Sequence, residues 1–180
     1  MDSSASSTPP VVRFIGQIST VSGVIASFMI LASVLITCQM IFIRAVLGKS
    51  TIWQTEAVIY LMIAATMIGL AYVQKLKGHV GVDLIPTMLG PNGRRVMAIF
   101  TLTVTALMMG LMLYYAYEMW HFAWKRGWKS ETVWAVPLWI PYLSVPLGFG
   151  LFLLQLAADL WMVVRGEDIG APVAAEDRRH

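Results

Sequence analysis

Charged residues are missing from long parts of this 180-residue chain. Asp, Glu, Lys and Arg are absent from the stretches 14–43, 57–74, 96–117 and 132–158. The chain as a whole is 58% hydrophobic and 13% charged, which is more apolar than a soluble domain of this length can bury. This scarcity of charge excludes an ordinary soluble domain and indicates an integral membrane protein.

Residues that could form a disulfide, bind a metal or catalyse a reaction are also scarce. Cys38 is the only cysteine, so an internal disulfide is excluded, and no Cys and His spacing indicates a metal site. If the four uncharged stretches each cross a membrane, His79 and His121 lie on opposite sides of a core about 30 Å thick. A haem held between these two histidines is therefore excluded. The sequence shows no Gly-rich phosphate loop and no Ser, His and Asp set. We therefore predict no enzyme, no catalytic, substrate-binding or metal residues, and no cofactor.

Four long apolar runs remain, and they predict an all-α membrane protein. About 20 apolar residues cross the membrane core, and backbone polar groups in lipid must bond within their own helix. The predicted domain of residues 13–165 has helices at about 15–44, 52–75, 94–118 and 141–164. A short amphipathic helix at about 80–90, too short to span, is expected to lie along the membrane face. Polar tails are predicted at 1–12 and 166–180.

Basic residues set the expected orientation. Four spans place both termini and the middle loop on one side, with eight Lys and Arg against five on the other. The eight are Arg13, Lys75, Lys77, Arg94, Arg95, Arg165, Arg178 and Arg179. The positive-inside rule then predicts that both termini are cytoplasmic. The pI near 9.2 reflects basic residues at the ends of the runs, which favours membrane lipids as partners and not nucleic acid.

Small residues form a stripe along the first predicted helix. Gly23 and Ala26 are its centre, and the spacing of three, four or seven residues allows another backbone to approach closely. The further members of the stripe are Ser19, Ser33 and Thr37. The pattern predicts a helix interface without identifying the partner.

Glu56 is interpreted as the only carboxylate close to a span. It lies with Trp53 and Gln54 in the first turn of the second helix, where a carboxylate favours the positive end of the helix dipole. The two leading interpretations are stabilisation of this helix start and an ion pair with a partner. Six tryptophans, Trp53 among them, fall near the predicted outer boundary, which is typical of an interfacial aromatic belt.

Two further segments carry distinctive residues. Pro137, Pro141 and Pro146 predict an irregular or short helical lead-in over 133–140, with the last spanning helix beginning near Pro141. In the middle loop, Asp83 is expected to cap the interfacial helix.

These motifs, in their order, resemble a known family. Trp53-Gln54-Thr55-Glu56, Gly69 and Gly78-His79-Val80-Gly81-Val82-Asp83 are similar to the Trp-x-x-Glu and Gly-His-x-x-(Val/Ile)-Asp pattern of the small membrane subunit of TRAP transporters. TRAP stands for tripartite ATP-independent periplasmic. The segment Pro137-Leu138-Trp139-Ile140-Pro141-Tyr142 also resembles that family, whereas Val133-Trp134-Ala135-Val136 departs from it. The resemblance covers about residues 15–161.

The resemblance implies a multi-pass protein of a bacterial inner membrane that acts as a non-catalytic stator for a large elevator-type membrane subunit. That subunit would carry the sodium and substrate sites, and a periplasmic binding protein would deliver an organic acid. Residues expected to contact the large subunit are Gly23, Ala26, Trp53, Glu56, Gly69, Trp139, Pro141 and Tyr142. The expected cytoplasmic interfacial motif comprises Gly78, His79, Asp83, Arg94 and Arg95. The alternative is a stand-alone four-helix membrane protein, such as a homo-oligomeric channel or a redox-complex anchor.

Overall fold

Four α-helices make up the described part of the protein in a computed structural model. The structure describes residues 10–76 and 91–165, apart from the side chains of Pro91, Asn92 and Arg94. The helices are α1 (Pro10–Leu47), α2 (Ile52–Lys75), α3 (Pro91–Arg126) and α4 (Trp139–Arg165). All four are long and apolar enough to cross a membrane, which confirms the predicted all-α membrane architecture. The predicted interfacial helix at 80–90, with Gly78, His79 and Asp83, and the tails 1–9 and 166–180 lie outside the described residues.

Two helices are longer than the apolar runs indicate. α1 has 38 residues and α3 has 36, which corresponds to about 57 Å and about 54 Å at ~1.5 Å per residue. A core about 30 Å thick needs little more than half of that length. The third helix continues to Arg126 instead of ending near residue 118, because Glu118 and Lys125 are tolerated where a helix leaves the lipid.

The helices are arranged in the spatial order α1, α2, α4, α3. α2 packs against α1 and α4, while α3 packs against α4 alone among the described helices. α1 touches α4 over a short stretch. α4 occupies the centre because it carries small or polar residues on several faces. Its buried residues are Pro141, Ser144, Pro146, Gly148, Phe152, Gln155, Leu156, Ala158, Asp159 and Val163.

Glycines set the closest approaches between helices. A Cβ atom built on Gly148 would lie 2.6 Å from the carbonyl carbon of Met67, so the α4 backbone rests on the α2 backbone. On the other side of α2, a Cβ atom on Gly23 would lie 2.7 Å from Cδ1 of Tyr72, and one on Gly69 would lie 3.4 Å from Cβ of Ala26. Small residues allow this close packing in lipid.

The small-residue stripe of α1 is therefore an interface within this chain. Ala26 is 6% exposed, and Gly23 is buried beneath the ring of Tyr72. The stripe mediates helix packing within the chain. At Gly23 and Ala26 its partner is α2, which buries both residues, while Gly69 of α2 is half-buried. The expected contact of these three residues with a large subunit stays a prediction. A stripe of small residues identifies a close approach but not the helix that makes it.

A Gly148→Ala substitution should destabilise the protein. The added methyl would collide with backbone atoms of Met67, which cannot rotate away, and such overpacking costs about 1–3 kcal/mol. Gly150→Ala is the matched control, because the same helix has open space at that position. Thermal unfolding in detergent should show a lower midpoint for Gly148→Ala and no loss for Gly150→Ala. Equal midpoints for the two variants would contradict the close crossing.

Candidate functional site

Glu56 anchors the loop between α3 and α4. Its Oε1 accepts hydrogen bonds from Oγ of Ser130 and, at 3.2 Å, from the hydroxyl of Tyr60. Its Oε2 accepts a 2.7 Å hydrogen bond from Oγ1 of Thr132. Hydrogen bonds to a charged group are roughly twice as strong as neutral ones. We call this set the Glu56 clamp: it ties residues 127–138 to α2.

The clamped loop is also closed by its own backbone. The amide of Ser130 donates to the carbonyl of Val136 at 2.9 Å, and the amide of Leu138 donates to the carbonyl of Trp128 at 2.9 Å. Ala135 adopts a φ of 46°, which lets the chain turn back towards α4. The predicted lead-in over 133–140 is thus a tight turn, and α4 begins at Trp139 with Pro141 in its first turn, where proline is tolerated.

Aromatic side chains gather at the end of the molecule that carries loops 48–51 and 127–138, called here the loop end. Trp53 meets Trp134 edge-on with ring centroids 6.1 Å apart. Trp124 contacts Trp139 at 4.6 Å, and Trp128 meets the ring of Phe122 at 5.2 Å. Such a cluster suits a membrane boundary, where amphipathic rings collect.

The sequence-predicted contact residues at the loop end divide into two groups. Trp53 is 44% exposed, and Trp139 and Tyr142 are partly exposed, so these three remain available to another protein or to lipid. Pro141 is buried. Glu56 has partners within the chain in its helix and loop neighbours. The geometry therefore favours an internal role for Glu56 over an ion pair with a partner.

A second polar cluster joins three helices at the opposite end, where α1 and α3 begin and α2 and α4 end. We call this the terminal end. Oγ of Ser19 donates to Oε1 of Gln155 at 2.7 Å. Nε2 of Gln155 and Nε2 of Gln74 each donate to the carboxylate of Asp159 at 3.0 Å. This Asp159 network links α1, α2 and α4 in a region that is otherwise apolar.

Asp159 corrects the interpretation that Glu56 is the only carboxylate close to a span. Asp159 is 5% exposed and lies six positions before the end of α4 at Arg165, about 9 Å along the helix axis. Asp159 lies inside the helix predicted at 141–164, but as the residue that ends the uncharged stretch 132–158 it was not recognised as a carboxylate of the span. The available signal was Gln155, four residues earlier, because residues four apart share a helix face.

Basic side chains also bridge helices at the terminal end. Nζ of Lys75 donates to the carbonyl of Gly16 at 2.9 Å and to Oγ1 of Thr20 at 2.6 Å. Nη2 of Arg95 donates to the carbonyl of Val164 near the end of α4. Arg95 is the one residue of the predicted interfacial motif whose side chain the structure describes.

These arrangements position helices and a loop. Among the described residues, no group of three or more His, Cys, Asp or Glu side chains could hold a metal ion. The two buried or half-buried carboxylates, Glu56 and Asp159, accept hydrogen bonds from neighbouring helices and from the clamped loop. These contacts hold α1, α2, α4 and the loop before α4 in a defined arrangement.

Replacing Glu56 with alanine should loosen the clamped loop. Hydrogen bonds to charged groups contribute about 1.5–3 kcal/mol, so local opening should become about tenfold more frequent or more. Hydrogen–deuterium exchange at the amides of Ser130 and Leu138 would measure this opening. Glu131→Ala removes an exposed carboxylate from the same loop and should leave exchange unchanged. Unchanged exchange in Glu56→Ala would show that the backbone bonds alone hold the loop.

Comparison with known proteins identifies the family. Residues 33–166 match the family described as tripartite ATP-independent periplasmic transporters, DctQ component. The chain is also similar to the C4-dicarboxylate TRAP transporter small permease protein DctQ of Vibrio cholerae serotype O1. The two are 19% identical over 175 residues, which cover 85% of this chain and 75% of that relative. The family match includes the last 15 of the 38 residues of α1 and all of α2, α3 and α4. The chain belongs to the DctQ family of small permease subunits of TRAP transporters.

Proposed function

We propose that this chain is a non-catalytic stator for the large elevator-type membrane subunit of a TRAP transporter. The observation that carries the proposal is the family match over residues 33–166, joined to four membrane-length helices. In this proposal the large subunit holds the sodium and substrate sites and moves. The small subunit enlarges the fixed part of the assembly in the membrane, and a periplasmic binding protein supplies the substrate.

The open arrangement of helices supports a partner in the membrane. α3 packs against α4 alone among the described helices, so most of its circumference faces outward. Exposed apolar residues run along it, with Leu107 at 67% and Leu111 at 48% exposure. An array that ends in a largely uncovered helix offers a broad lateral surface to another membrane protein or to lipid.

The positions and contacts of the polar groups support a role in which this chain binds neither the substrate nor a coupling ion. Secondary transporters build substrate and ion sites near the midplane from broken helices and buried polar groups. Here Glu56 and Asp159 lie towards opposite ends of their helices and are engaged in packing contacts. We therefore assign transport to the large subunit, and we assign to this chain the role of a fixed scaffold.

The proposed substrate class is an organic acid, with a dicarboxylate as the first candidate. The support is the relative from Vibrio cholerae, whose name specifies C4-dicarboxylates. Sodium coupling is part of the same proposal and rests on the family resemblance. The groups that select the substrate would belong to the large subunit and the binding protein.

This chain alone should not transport. Proteoliposomes containing only this subunit should show no sodium-driven uptake of succinate, a dicarboxylate, whereas vesicles with the large subunit and the binding protein should. Both preparations need equal amounts of this chain and the same sodium gradient. Uptake by this chain alone would overturn the stator proposal and favour a stand-alone channel. Copurification of the large subunit with this chain in detergent would separately establish the partnership.

We also propose that both termini are cytoplasmic. The support is the eight-to-five distribution of Lys and Arg between the two sides. The terminal end then faces the cytoplasm, and the Glu56 clamp with its loop faces the periplasm.

Single-cysteine labelling tests this orientation. In a Cys38→Ser background, which removes the exposed native thiol, Lys49→Cys should react with a membrane-impermeant maleimide in intact cells. Arg13→Cys should react only after the cells are permeabilised, because it lies at the terminal end. The opposite pattern of labelling would reverse the orientation.

A further inference from the structure

Two arginines meet where α3 begins and α4 ends. Nη2 of Arg95 donates to the carbonyl of Val164, which directly precedes Arg165. The guanidinium of Arg165 lies over the ring of Trp161, with Cζ 4.8 Å from the ring centroid. Both arginines are exposed. Two positive charges from different helices thereby lie beside the last turns of α4 at the terminal end.

These arginines keep donors that an anion could use. A guanidinium has five N–H donors, and the contact with Val164 uses a single nitrogen of Arg95. The contacts described for the two arginines are with the carbonyl of Val164 and with the ring of Trp161. The nearby Asp159 is buried, and its two oxygens accept hydrogen bonds from Gln74 and Gln155.

The surface next to the arginines is apolar and uncovered. Val96 and Phe100 are 68% and 69% exposed on α3, and Trp161 and Val164 are 54% and 55% exposed on α4. Residues four apart, such as Val96 and Phe100, lie on one face of a helix. This surface leads from the arginines towards the part of the helices that crosses the membrane. Positive charge at the membrane boundary, next to apolar side chains, is complementary to an anionic phospholipid, whose headgroup lies in water and whose chains lie in the membrane core.

We propose that the terminal end of the α3 and α4 pair binds an anionic phospholipid. Arg95 and Arg165 hold the headgroup phosphate, and an acyl chain lies against Phe100 and Trp161. Basic pockets between transmembrane helices bind anionic headgroups in this way. Arginine suits the task because its planar fork donates to two phosphate oxygens at once. A bound lipid would fasten α3, which packs against α4 alone, to the rest of the protein.

The test uses the full chain purified in mild detergent together with any subunit that copurifies. Dioleoylphosphatidylglycerol is titrated in, and its binding is followed by thermal shift and by native mass spectrometry. The double variant Arg95→Gln and Arg165→Gln removes both charges. Arg126→Gln is the matched control, since Arg126 lies 4.4 Å from the ring centroid of Phe122 at the opposite end. Circular dichroism and gel filtration check that each variant retains its fold.

The double variant should bind phosphatidylglycerol about 30-fold more weakly, or about fivefold for each arginine, which corresponds to about 1 kcal/mol per basic residue near a lipid surface. Arg126→Gln should bind as the wild type does. The variant with lysine at both positions should retain part of the affinity, which separates loss of charge from loss of fold. Wild-type binding by the double variant would overturn the proposal.

Two further arms identify the source of the anion. Dioleoylphosphatidylcholine has the same chains without net charge and should give a much smaller thermal shift. Inorganic phosphate at millimolar concentration has the charge without the chains and should give none. A thermal shift from phosphatidylcholine equal to that from phosphatidylglycerol would show that the surface binds lipids without selecting for charge. A shift from phosphate equal to that from phosphatidylglycerol would make it a simple anion site, and either result would reject the specific lipid site.

Discussion

The architecture depends on the fact that lipid does not drive apolar helices together. Each helix satisfies its own backbone, and the surrounding chains are as apolar as leucine, so helices meet where small residues permit close contact or polar groups require partners. α4 has both, with Gly148 against the backbone of Met67 and with Gln155 and Asp159 bonded to α1 and α2. This explains why α4, last in the sequence, lies between α2 and α3 in space.

Close packing and hydrogen bonds between helices both fix the positions of the helices, and they do so in different ways. Interhelical hydrogen bonds in membrane proteins contribute only about 0.6 kcal/mol each on average, so the Asp159 network adds modest stability. Its greater effect is on register. Sliding α4 by one residue, about 1.5 Å, would separate Asp159 from Gln74 and move Gly148 away from Met67. The Glu56 clamp fixes the loop end of the same helix by holding the loop that precedes it.

Hydrophobic runs were enough to predict the number and type of the helices, because crossing a membrane imposes a minimum length that few other segments meet. Their neighbours could not be predicted in the same way. The stripe through Gly23 indicated a close contact, but choosing Tyr72 as its partner requires knowing how helices are ordered in space. The predicted helix at 141–164 already contained Asp159, but the sequence does not show that this side chain is buried, because its partner Gln74 belongs to another helix.

A stator must resist displacement when its partner moves, and the distribution of contacts in this chain suits that requirement. α1, α2 and α4 are joined at the terminal end by the Asp159 network and by Lys75. The clamp joins α2 to the start of α4 at the loop end, so these two helices are fixed at both ends. α3 differs, since its described contacts are to α4 alone. Its side chains are therefore the most accessible to a membrane partner, and its attachment gains most from a lipid bound at Arg95 and Arg165.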